Sequence, residues 1–95
     1  MRFEWDEAKS EANFEERGFD FEFAALVFDG LTLEVEDRRR DYGERRMVAI
    51  GVADDLHLTV VYTDRQQVSG QVIRRIISAR RSSRHERKIY EKASL

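Results

Sequence analysis

Apolar residues recur along the chain in two periods, and the switches between them mark the elements. Arg2 to Trp5 reads as a short first strand. Asp6 is a good N-cap for a helix running to about Arg17, with Glu7 near its positive end, and Gly18 falls where a left-handed terminal residue is wanted. Asp20 caps a second predicted helix, Phe21 to Phe28, in which Phe21, Ala24, Ala25 and Phe28 keep helical spacing. Asp29-Gly30 ends it. Leu31, Leu33 and Val35 then alternate with Thr32, Glu34 and Glu36, which predicts a strand with one face buried.

Arg38 to Arg45 is a charged loop containing Tyr42 and Gly43. Arg46 to Ala53 is a strand, Asp54-Asp55 a turn, and Leu56 to Thr63 a strand rich in β-branched residues. After a polar loop, Gln66 to Gly70, a last strand spans Gln71 to Ala79. Its neighbouring arginines, Arg74 and Arg75, break the alternation. Either a β-bulge or an arginine lining a concave site accounts for that. Ser83-Arg84-His85-Glu86 is a capping-box pattern opening a final helix to about Lys92, anchored by Ile89 with Tyr90 beside it.

The order β-α-α-β-β-β-β-α predicts an α+β fold. An antiparallel sheet of four to five strands packs against N-terminal and C-terminal helices. One sheet face is covered and the other is free to hold a site. The aromatics Phe3, Trp5, Phe14, Phe19, Phe21 and Phe28 are assigned to the core.

Composition narrows the reading. The 95 residues suit one domain, 1–95, with a single modest core. Cysteine is absent, which removes disulfides, thiolate metal sites and cysteine nucleophiles. No apolar run reaches a membrane span and no secretion signal opens the chain, so the expectation is a soluble cytoplasmic protein with no membrane partner.

Charge changes the picture more. The net charge of −2 conceals a division: residues 1–36 hold 11 Asp/Glu and 3 Lys/Arg, residues 37–95 hold 8 and 14. The stretch from Arg65 to Lys92 alone has 9 basic and 2 acidic side chains. Two explanations stand: the halves pair in the fold, or a basic surface meets an anion such as nucleic acid.

His57 and His85 lie far apart, so no metal site is expected. No phosphate-cradling glycine loop occurs, and Ser83 is better explained as a helix cap. No cofactor is expected. The arginines carry the chemical information. Arg65 and Arg80 each follow a strand end, and adjacent antiparallel strands can bring such positions near each other. Guanidinium groups fit phosphate oxygens and can stabilise the phosphorane reached when an RNA 2′-hydroxyl attacks its own phosphate, without metal. Alternatively, Arg65 and Arg80 pair with Glu44, Glu86 or Asp64. In Asp41-Tyr42-Gly43-Glu44-Arg45-Arg46, Glu44 is either a general base or the partner that orients Arg80, and Tyr42 is placed to stack on an RNA base.

Several segments together resemble one family. Phe3-Glu4-Trp5-Asp6-Glu7-x-Lys9, Asn13, Gly18 and Phe21-Glu22-x-Ala24 resemble the N-terminal half of BrnT-type toxins. Asp41-Tyr42-Gly43-Glu44-x-Arg46, Ile50-Gly51, Val60-Val61-Tyr62-Thr63-x-Arg65, Ile76-Ile77-Ser78-Ala79-Arg80, Ser83-x-x-Glu86-Arg87 and Tyr90-Glu91 continue the match in order. The resemblance implies a RelE-like fold and a metal-independent endoribonuclease that inhibits translation and growth. It also implies a cognate BrnA-type antitoxin, ribbon-helix-helix-like, through which the complex reaches operator DNA. A homodimer is a further state open to the isolated chain.

Carried over by position, Arg65, Arg80 and Glu44 are the catalytic candidates. Lys9, Tyr42, Arg46, Arg74 and Arg75 are the RNA-binding candidates. The chain departs from the family in one notable place: Glu16-Arg17-Gly18 stands where Lys-His-Gly is usual, and arginine cannot act as a base at neutral pH. The segment from Gln66 to Arg74 also looks longer than usual. The alternative function is a non-catalytic antitoxin-binding corepressor with the same fold. A small metabolic enzyme is disfavoured by the missing glycine loops and metal ligands.

Overall fold

A computed structural model describes residues 1–94. The chain runs β1 (Arg2–Trp5), α1 (Glu7–Arg17), α2 (Phe21–Ala24), a 3-10 turn (Ala25–Asp29), β2 (Leu33–Asp37), β3 (Arg46–Ala53), β4 (Leu56–Gln66), β5 (Val72–Arg81) and α3 (Arg84–Ala93). The strands form one sheet in the order β1-β5-β4-β3-β2. This is the α+β architecture expected, with one refinement. Strands β2 to β5 are antiparallel, whereas β1 lies parallel to β5. No hairpin fixes the direction of β1, because α1 and α2 carry the chain from that edge to β2 at the other.

The local signals work as expected at the helix ends. The Asp6 side chain accepts from the Lys9 backbone N–H, and Gly18 closes α1 at φ 84°. The buried residues of α1 are polar. Ser10 Oγ accepts from the Phe21 N–H at 2.9 Å, and Asn13 Nδ2 donates to the Phe19 carbonyl at 2.9 Å. These bonds fix the turn that swings α2 onto the sheet. The second helix is α-helical for only four residues before tightening to 3-10 winding. At three residues per turn, Ala24 and Val27 stack on one line, and both are fully buried.

The core lies between this helical layer and one sheet face. Phe19, Phe21, Ala24 and Val27 pack on Ala53, Leu58, Val60, Ile76 and Ala79, with Phe3, Trp5 and Phe28 partly buried around them. Phe14 is an exception among the expected core aromatics, being 58% exposed. The expectation for Leu31, Leu33 and Val35 also needs correction. Leu33 and Val35 lie on the second sheet face at an edge, where Val35 is 63% exposed, and Leu31 precedes β2 and is also exposed. The helical layer covers the side of β2 that presents Glu34, whose carboxylate accepts from the Tyr62 hydroxyl.

Beside that contact, Arg74 stacks over the Tyr62 and Phe28 rings, 3.9 and 4.7 Å from their centroids. It donates twice to Asp64, at 2.8 and 2.9 Å. Helices are not confined to one face. α3 crosses one end of the second face, where the Tyr90 ring meets His57 edge-on and its hydroxyl donates to the Leu31 carbonyl at 2.8 Å.

Gly51 marks the tightest approach of helix to sheet. A Cβ there would lie 2.9 Å from Val27 Cβ and 3.2 Å from Thr32 Cγ2. Gly51→Ala is therefore expected to destabilise the fold by about 1–3 kcal/mol through overpacking. The urea midpoint checks this: an unchanged midpoint would mean the 3-10 turn yields without cost.

Candidate functional site

Strand pairing decides which arginines share a face. Val61 pairs with Ser78 but Tyr62 pairs with Ile76, so Ile77 is an extra residue bulged out of β5. Before the bulge, Arg75 pairs with Thr63; after it, Arg80 pairs with Thr59. Both therefore lie on the second face, with Arg65, while Ile76 and Ala79 both reach the core. Arg74 pairs with Asp64 on the helix-covered face.

One end of the second face carries a row across all five strands in which two arginines flank a central threonine and a carboxylate closes each end. Asp37 on β2 pairs with Arg46 on β3. Arg46, one step beyond the Met47–Tyr62 pair, flanks Thr63. Thr63 pairs with Arg75 and Arg75 with Glu4. Arg75 donates to Glu4 at 2.7 Å, and Arg65 lies 3.9 Å from the same carboxylate. Glu44 bonds Arg46 at 3.0 Å, so its partner is Arg46 and not Arg80. The Tyr42 ring is covered by the Arg46 guanidinium at 4.1 Å, and its hydroxyl donates to Asp37. That face of the ring is already stacked.

Arg80 occupies the other end of the face. Arg65 lies six residues along β4 from Thr59, the pairing partner of Arg80. At ~3.4 Å per residue the two backbones are roughly 20 Å apart. The expectation that strand ends bring Arg65 and Arg80 together is thus corrected: they share a face and not a point. The strands are longer than the sequence pattern shows, so both arginines fall within strands whose ends point in opposite directions.

The Arg80 guanidinium is fixed in a fork-to-fork pair with Glu86, at 2.7 and 2.8 Å. Glu86 is itself held from two further sides. It accepts from the Ser83 backbone N–H at 2.8 Å as the carboxylate of the capping box, and from Thr59 Oγ1 at 3.2 Å. Thr59 Oγ1 lies 2.8 Å from Ser82 Oγ. The bond from Arg80 is the main reason the Glu86 carboxyl is held down at about 2. Arg80 in turn is raised by that bond and opposed by the nearby charge of Arg39. Arg39 is anchored by two bonds to Asp37, each 2.9 Å, which keep the Asp37 carboxyl well below its usual range.

Two singled-out positions stand apart from this face. Lys9 is exposed on α1. Arg17, where the family's histidine is usual, also lies on α1 and donates to Asn13 Oδ1 at 2.9 Å. Sequence reasoning named Glu86 as a cap and as one of three partners for Arg80. It missed Thr59, Ser82 and Arg39, which no local pattern singles out. Among the described residues, no group of three or more His, Asp or Glu side chains is arranged to hold a metal ion.

The structure is thus a small α+β domain with arginines distributed over one sheet face, each held by a carboxylate. The family model described as ribonuclease toxin, BrnT, of type II toxin-antitoxin system matches residues 5–86, and the chain belongs to that family. No curated protein matches it. No described helix is long and apolar enough to cross a membrane.

The Glu86 latch gives a pH test. A carboxyl whose folded value lies below its ordinary 4.5 contributes stability above that range and loses it as pH falls toward about 2. Glu86→Gln keeps a capping-box acceptor but removes the charge. Glu86→Gln should be less stable than the parent at pH 7, and the gap should close between about pH 5 and pH 2. Urea midpoints at pH 7 and pH 2.5 measure it, and a gap that does not change with pH would show that Arg80 does not hold the carboxylate.

Proposed function

We propose that this chain is a metal-independent endoribonuclease toxin whose second sheet face binds RNA and whose Arg80 stabilises the reacting phosphate. The observation that carries this is the Arg80–Glu86 pair. It aims a half-exposed guanidinium across an open face that presents Arg46, Arg65 and Arg75 further along. In this reading the RNA 2′-hydroxyl attacks the adjacent phosphorus, the 5′-oxygen leaves with a proton, and a 2′,3′-cyclic phosphate remains. Charge accumulates on the non-bridging oxygens during that step. A preorganised guanidinium stabilises it more than it stabilises the starting diester.

Arg80 has donors left for this role. Glu86 occupies one edge of the guanidinium and Nη1 also donates to the Arg81 carbonyl at 3.3 Å, which leaves the Nε–H and the second Nη2 hydrogen for a phosphate oxygen. Arg65 and Arg75 are separated from Arg80 by most of the sheet, so in this reading they hold phosphates several nucleotides further along the same strand. Glu44, beside Arg46, serves that end of the track. Arg74 is outside the proposed track because its guanidinium is committed to Asp64 and two aromatic rings. Cleavage of cytoplasmic RNA would inhibit translation. A BrnA-type antitoxin would neutralise the toxin and bring the complex to operator DNA.

The test is cleavage of mixed-sequence RNA in EDTA. Arg80→Ala is expected to lose about 10²–10³-fold in rate, the usual cost of removing one oxyanion donor. Arg65→Ala is expected to raise KM more than it lowers kcat, as loss of a binding contact does. No cleavage by the parent chain, with or without ribosomes, would leave the antitoxin-binding corepressor as the better reading.

A further inference from the structure

Nine of the 17 Lys/Arg side chains pair with a carboxylate among the described residues. Arg2, Lys9 and Arg40, without such a partner, are scattered, but the others gather at one place. Arg81, Arg84, Arg87 and Lys88 follow from the end of β5 into the first half of α3, all are exposed, and none makes an ion pair. Arg84, Arg87 and Lys88 stand at i, i+3 and i+4, so they form one stripe on the helix. With Ser82 and Glu91 they line a recess of about 420 Å³. Arg87 also borders a smaller recess of about 160 Å³, shared with Arg81, Ser82, His57 and Asp55.

This arrangement is unfavourable within the molecule. Like charges at helical spacing repel, and positive charge in the first turns of a helix opposes the macrodipole. The nearby carboxylates do not relieve it. Glu86 is committed to Arg80, while Glu91 and Asp55 border the recesses without pairing to these cations. By contrast, Arg46, Arg65, Arg75 and Arg80 on the second face all pair with carboxylates.

We propose that the Arg84–Arg87–Lys88 stripe binds phosphates of the RNA strand next to the one held at Arg80, so that the protein takes a polynucleotide and not a short oligomer. The proposal rests on the RNA-cleaving reading above. Continuity favours RNA as the ligand. Glu86, which aims Arg80, is the immediate neighbour of Arg87 on the same helix. The stripe thus prolongs the row of guanidinium groups that starts at Arg65. Its cations lie along a ridge, spaced over about 6 Å of helix axis. They do not converge on one point, and that suits a chain of anions better than a single one.

The probe is a fluorescein-labelled 12-nucleotide RNA, 2′-O-methylated so that it cannot be cleaved, with affinity followed by anisotropy over a salt series. Arg84→Gln/Arg87→Gln is compared with Arg2→Gln/Arg17→Gln, which removes the same charge elsewhere. Losing two phosphate contacts should lower the slope of log K against log salt by about 1.4 and weaken binding about 20-fold at 0.1 M salt. The control pair should change it by less than about 2-fold. If the double variant misfolds, Lys88→Gln alone should lower the slope by about 0.7. Equal losses in both doubles would reduce the effect to net charge and overturn the proposal. Unchanged RNA affinity in the stripe variant would overturn it too, including where affinity for a polyglutamate peptide falls instead. Cleavage of a dinucleoside monophosphate in EDTA separates the two readings. The parent and stripe variant should cleave it equally. If the parent cleaves neither it nor long RNA, the nuclease reading fails while the anisotropy still decides the stripe.

Discussion

One extra residue in β5 organises both faces of the sheet. Strict alternation would put Arg74, Ile76, Ser78 and Arg80 on one side and Arg75, Ile77 and Ala79 on the other. The core needs Ile76 and Ala79 together, and both are buried in it. The bulge at Ile77 resets the phase between them. The same reset moves Arg80 out of line with Arg74 and onto the face of Arg75. The requirement to fill a core therefore also sorts the arginines. Arg74 is turned into a closed network with Asp64, Tyr62 and Phe28, while Arg75 and Arg80 stay on the open side.

Burial treats the two environments differently. On the covered face, Tyr62 is raised above its ordinary value first by burial and then by its bond to Glu34. Arg74 beside it keeps its charge because Asp64 supplies two bonds. On the open face, solvent screens the more exposed pairs, so Glu4 and Glu44 contribute little stability individually. Their effect is geometric. Each fixes one edge of a guanidinium and leaves the other edge available, which lowers the ordering cost when an anion arrives. Glu86 does this most completely, because the start of α3 and the Thr59 side chain hold it in turn.

Much of the fold was legible in the sequence because its signals are local. Asp6, Gly18, Asp20 and Ser83 terminate helices as their chemistry dictates. The Asp54-Asp55 turn adopts positive φ at both residues, as a tight hairpin requires. The neighbouring Arg74 and Arg75 pointed to a bulge in the strand that has one. The misplaced features are long-range. Leu31, Leu33 and Val35 alternate as a half-buried strand does, but alternation does not say which side a helical layer will cover. Glu4 and Arg75 are 71 residues apart in sequence, and Thr59 and Glu86 are 27 apart. No local pattern announces either contact. The separation of Arg65 from Arg80 was hidden for the same reason, since it depends on where two strands end.

The division of charge along the sequence now has a structural account. Part of the acidic first third meets the basic remainder directly, through Glu4 with Arg65 and Arg75, and Glu36 with Arg38 and Arg45. Pairing alone does not exhaust the basic side chains. The surplus accumulates past Arg80, on the helix whose first turn aims that arginine. A protein of net charge −2 has little general attraction for nucleic acid. A local concentration of positive charge lies where the paired Arg80 adjoins the exposed cations of α3. That junction lies at Glu86, which separates the paired guanidinium of Arg80 from cations that have no carboxylate partner among the described residues.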